Sequence, residues 1–198
     1  LGSASNTATI AVGAPFSVAG PVSIYGGDIQ LNANVSSRLT NAPLLIKAAG
    51  HITQASNVAV GSNGGDITLW ANSDGDTTNF GGIALNPGAS INSQNGNIFL
   101  GGGSSLATGY ATVKAANYSG GVALLDATIN AGTGAVTVRG ESVDSAADKA
   151  MGILMRGDAG SSSITGGAIS LNGTVSGVND GASSALRMDA QSTVTAGG

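Results

Sequence analysis

The chain has 198 residues, a net charge of −4, 9% charged and 41% hydrophobic residues, 33 glycines and no cysteine. That balance argues against disorder driven by charge, a basic nucleic-acid footprint, disulfides and thiolate metal sites. No apolar run approaches the roughly 20 residues of a membrane-spanning helix, and the glycines follow no collagen triplet.

Residues 1–15 read as a leading segment or partial coil, and residues 16–198 as repeats. Each repeat contains three short strands. The first appears as Phe16-Ser17-Val18, Leu44-Leu45-Ile46, Ile83-Ala84-Leu85, Val122-Ala123-Leu124, Ile153-Leu154-Met155 and Leu186-Arg187-Met188. The second is marked by Ile24, Ile52, Ile91, Ile129, Ile164 and Val194. The third is a glycine-led phrase: Gly27-Asp28-Ile29-Gln30-Leu31, Gly65-Asp66-Ile67-Thr68-Leu69, Gly96-Asn97-Ile98-Phe99-Leu100, Gly134-Ala135-Val136-Thr137-Val138 and Gly167-Ala168-Ile169-Ser170-Leu171. Its first apolar residues are separated by 38, 31, 38 and 33 positions. Alternation of apolar and polar residues is the mark of a strand with one buried face.

A repeat of this size, built from short strands and Gly/Asn/Asp turns, predicts a solenoid. The expected fold is all-β: a single-stranded, right-handed parallel β-helix with about 34 residues per coil and five to six coils. The hand follows from the preference of parallel crossovers. Ile29, Ile67, Ile98, Val136 and Ile169 are expected to stack in one inward ladder. The stretches Gly101–Gly120 and Thr53–Gly64 read as insertions, which in repeat proteins fall in loops on one face. The chain starts without Met and ends in mid-pattern at Gly197-Gly198, so a fragment of a longer protein is expected.

The segment Gly121-Val122-Ala123-Leu124-Leu125-Asp126-Ala127-Thr128-Ile129-Asn130-Ala131-Gly132-Thr133-Gly134-Ala135-Val136-Thr137-Val138-Arg139-Gly140 resembles a coil of large bacterial filamentous-haemagglutinin-like proteins. The stretches from Gly82 to Leu100 and from Gly152 to Gly173 are similar to it, and the likeness extends over most of residues 16–198. It implies a β-helical shaft of a large protein at the bacterial outer surface or outside the cell, exported by two-partner secretion. It also implies adhesion or fibre formation as the role, with other copies or adjacent parts of the parent chain as partners. A host or cell-surface glycan or protein is the further partner implied.

Several side chains are candidates for chemistry. Asp28 and Asp66 fall in equivalent places of successive phrases, with Asn97 next. Stacked carboxylates repel unless solvated, protonated or bridged by a cation, so Ca²⁺ is the cofactor to weigh against two solvated turns. Asn72-Ser73-Asp74-Gly75-Asp76 offers alternating oxygen ligands through Asp74 and Asp76, but lacks the sixth-position glycine and distal glutamate of a calcium-binding hand. Otherwise no cofactor is implied. Glu141 is the one glutamate and His51 the one histidine. No convergent set of catalytic groups is legible, and no enzyme is expected.

Arg156-Gly157-Asp158 is an integrin-type tripeptide; an ion pair from Arg156 to Asp189, one coil on, is the alternative. Trp70 and Phe99 lie on the outward side of their strands and on adjacent coils, a candidate sugar platform or protein contact. Tyr110 and Tyr118 in the following insertion join them as surface candidates, unless that loop folds over the aromatics instead.

Overall fold

The computed structural model describes residues 1–114, 120–143, 150–176 and 183–197. Among them there is no helix, and the strands form three sheets of seven, all paired in parallel. The chain visits the three sheets in rotation. The first pass comprises β1 (Ile10–Val12), β2 (Phe16–Val18) and β3 (Val22–Gly26). The second comprises β4 (Ile29–Leu31), β5 (Val35–Thr40) and β6 (Leu44–Ala48). The third comprises β7 (Ile52–Gln54), β8 (Ala59–Asn63) and β9 (Ile67–Ala71). The fourth comprises β10 (Ile83–Leu85), β11 (Ser90–Asn92) and β12 (Ile98–Gly102), with β13 (Ala111–Val113) rejoining the third sheet after an excursion. The fifth comprises β14 (Val122–Leu125), β15 (Thr128–Asn130) and β16 (Ala135–Val143). The sixth comprises β17 (Met151–Arg156), β18 (Ser162–Gly166) and β19 (Ala168–Ser176). β20 (Ser184–Met188) and β21 (Ser192–Ala196) add a seventh strand to the first two sheets.

Register turns alternation into ladders. In the first sheet Ile10, Ile29, Ile52, Ile83, Val122, Ile153 and Leu186 align. In the third, Val22, Leu44, Ile67, Ile98, Val136 and Ile169 align. Most of these side chains are wholly buried and share one continuous core. Each large aliphatic side chain removed from water contributes about 1.5–3 kcal/mol, so the core needs no helix to cover it.

The register corrects the phasing expected from sequence. Ile29 belongs to the first sheet, whereas Ile67 stacks on Leu44 and Ile98 in the third. Likewise Phe16 lies in the second sheet and Leu44 and Ile24 in the third. From Ile67 onward the expected and observed sheets coincide, except that the stretch Gly101–Gly120, read as a loop, holds the end of β12 and all of β13. The uniform period of 34 fails before that point: Ile10 to Ile29 is 19 residues and Ile29 to Ile52 is 23. Later steps, Ile52 to Ile83 to Val122 to Ile153 to Leu186, are 31, 39, 31 and 33. The chain therefore makes six passes and part of a seventh rather than five to six. Thr53–Gly64 is no insertion, because it holds the end of β7 and all of β8.

The two ends of the stack differ. Leu1 donates its terminal ammonium to Ser23 O at 2.8 Å and accepts Tyr25 N–H at 2.9 Å, so the first residues run along the edge of β3. At the other end Leu186, Met188 and Val194 occupy the same inward positions as their buried counterparts, yet are 39%, 42% and 38% exposed.

Candidate functional site

Corner geometry explains most of the polar candidates. Asp28 Oδ1 accepts the backbone N–H of His51 at 2.7 Å, and His51 Nδ1 accepts that of Gly82 at 2.9 Å. Asp66 Oδ1 accepts the N–H of Asn97 at 2.8 Å, and Asn97 Oδ1 that of Ala135 at 2.9 Å. Asn34 Oδ1 does the same for Ala59 at 2.8 Å. In each case the acceptor sits just before a strand and serves the equivalent residue one pass later. Asp28 and Asp66 thus belong to different corners and do not stack on each other. Among the described residues no group of three acidic, histidine or cysteine side chains is placed to hold a metal.

His51 is half-buried. Burial pushes its imidazole below the ordinary value of 6.5, and the Asp28 carboxylate opposes that shift. An Nδ1 that accepts the Gly82 N–H must be unprotonated, so hydrogen bonding and burial favour the same neutral form.

The Arg156-Gly157-Asp158 loop is organised by a third residue, Asp126. Its carboxylate accepts the N–H groups of Asp158, Ala159 and Gly160 at 2.8, 3.2 and 2.9 Å. These bonds, with Ala159 the largest, hold its carboxyl below the usual range. Arg156 pairs with Asp158 at 2.8 Å, within the tripeptide, and Arg187 pairs with Asp189 at 2.7 Å. The expected Arg156–Asp189 pair is replaced by two pairs at i, i+2. The two charges of the tripeptide face each other rather than splaying apart.

On the outward face of the third sheet, Tyr25, Lys47, Trp70 and Gly101 fall in one row. The Lys47 ammonium sits 3.9 Å from the Trp70 ring centroid. That contact contributes about 0.5–1 kcal/mol at an exposed site. The indole N–H donates to Gly103 O at 2.7 Å. Phe99 lies diagonal to Trp70 and its ring covers Gly101, where a Cβ would meet it at 2.7 Å. The aromatic pair is therefore half-buried beneath Lys47 and the start of the excursion. Tyr118 lies outside the described residues.

Tyr110 leads to the concave feature of this face. Two excursions leave the third-sheet side: residues 72–82, between β9 and β10, and 103–110, between β12 and β13. The first opens on Asn72 in a left-handed conformation (φ 48°), with Gly75 N–H closing a turn onto Asn72 O at 2.9 Å. The second opens on Gly103 (φ 74°) and closes through Gly109 N–H on Ser105 O at 2.7 Å. Between them lies a cleft of about 430 Å³ lined by Asn72, Asp76, Phe80, Tyr110, Thr112 and Glu141, among others. Asp76 N–H donates to Asp74 Oδ1 at 3.1 Å, and Asp76 Oδ1 accepts the Thr78 N–H and hydroxyl, each at 2.7 Å. These bonds, the Thr78 hydroxyl foremost, keep the Asp76 carboxyl below its usual range. Asp74 and Asp76 thus act as turn acceptors. Glu141 comes from the outward side of β16 and faces the Thr112 hydroxyl at 3.3 Å.

Sequence reasoning singled out Asp76 and Tyr110 of this cleft and missed Asn72, Phe80 and Glu141 as its walls. The available signal was local: an Asn-x-x-Gly turn after one strand and a triple glycine after the next. Comparison with family models, with curated proteins and with solved structures returns no match.

Proposed function

We propose that this chain is a right-handed parallel β-helix that serves as a non-enzymatic shaft segment of a filamentous-haemagglutinin-like adhesin, exported by two-partner secretion to the outer bacterial surface or beyond. The observation that carries the reading is the rotation of strands through three parallel sheets, interrupted once where β13 rejoins the third sheet, each strand pairing with one a full pass away. Six inter-strand steps of about 4.8 Å span about 29 Å. More passes of the same kind lengthen such a rod without changing its cross-section. Its mechanism is mechanical: stacked passes hold a distal region away from the cell.

A second reading is a subunit of a self-assembling fibre. In that reading the strands last in each sheet are the ones that join copies. Unpaired edges are templates for strand addition. A third, glycan binding through Trp70 and Phe99, would use an aromatic pair already engaged by Lys47 and Gly103.

Two measurements test these readings. Electron microscopy of the purified chain should show short isolated rods; a globular outline sinks the shaft, and ordered filaments select the fibre. Antibody against the chain should label intact bacteria that make the parent protein. Labelling only after lysis overturns the surface assignment.

A further inference from the structure

We draw no further inference here: the strongest candidate, the side-chain cluster of Lys47, Trp70, Phe99 and Arg139 on the outward face of the third sheet, carries nothing, because the Lys47 ammonium lies on the Trp70 ring, the indole N–H is taken by Gly103 O, and nothing in the structure shows what covers this face.

Discussion

The first two passes and the later ones enclose the same core with different lengths of chain. Nineteen residues carry the chain from Ile10 to Ile29, and 39 from Ile83 to Val122. Yet Ile24 and Ile46 in the short passes are as fully buried as Leu100 and Val138 in the long ones. Closing the core therefore takes three short strands and corners of a few residues. Everything beyond about 20 residues per pass is free to leave the stack. In this molecule it leaves at residues 72–82 and 103–110, and the candidate cleft is built from that surplus.

The sharpest way to break this comparison is to change chain length in both places. Deleting Asn32 from the corner between β4 and β5 shifts the pairing by one residue and turns inward side chains outward. Loss of the cooperative urea transition is expected. Deleting residues 104–108, which lie in an excursion, should cost less than about 1 kcal/mol and leave that transition in place. Equal damage from the two deletions would show that the long passes are not short passes with surplus.

A second test uses one ladder. Met155 and Met188 are in register, but Met155 is fully buried and Met188 is 42% exposed. Met155→Ala should destabilise by about 2–5 kcal/mol, and Met188→Ala by less than about 1 kcal/mol, both read by urea unfolding. Similar losses would mean that the last pass is as well packed as the interior.

The smallest effect is that of pH at a corner of the short passes. His51 is held neutral in the folded chain, below its ordinary value of 6.5. The unfolded state then binds the proton more readily. The stability is present above pH 6.5 and is lost as the pH falls below it, until the folded imidazole also protonates. His51→Asn keeps an acceptor for Gly82 N–H and should flatten that part of the pH–stability curve. A decline that persists in this variant assigns the effect to another group.

The alternation that makes strands was legible residue by residue, and from Ile67 onward so was the sheet each strand joins, apart from β13, which lies in a stretch read as a loop. The phase of the first passes was not, for a physical reason. A three-residue strand such as Ile29-Gln30-Leu31 carries the same pattern whichever sheet it enters, and corner length decides which one that is. The same limit hid the cleft. Asp76 and Tyr110 could be named from sequence, but their meeting with Asn72 and Glu141 depends on two excursions from neighbouring passes. Glu141 read as an isolated charge because its partner, Thr112, is 29 residues away.

The corner acceptors have a directional consequence. Asp28, His51, Asp66, Asn97 and Asn34 each reach forward to the backbone of the following pass. A pass that emerges later finds its acceptors already set by the one before, whereas a pass added in front must bring its own. At these corners, each pass caps the N–H groups of the one that follows it. Two stacks could extend this pattern across a junction only head to tail.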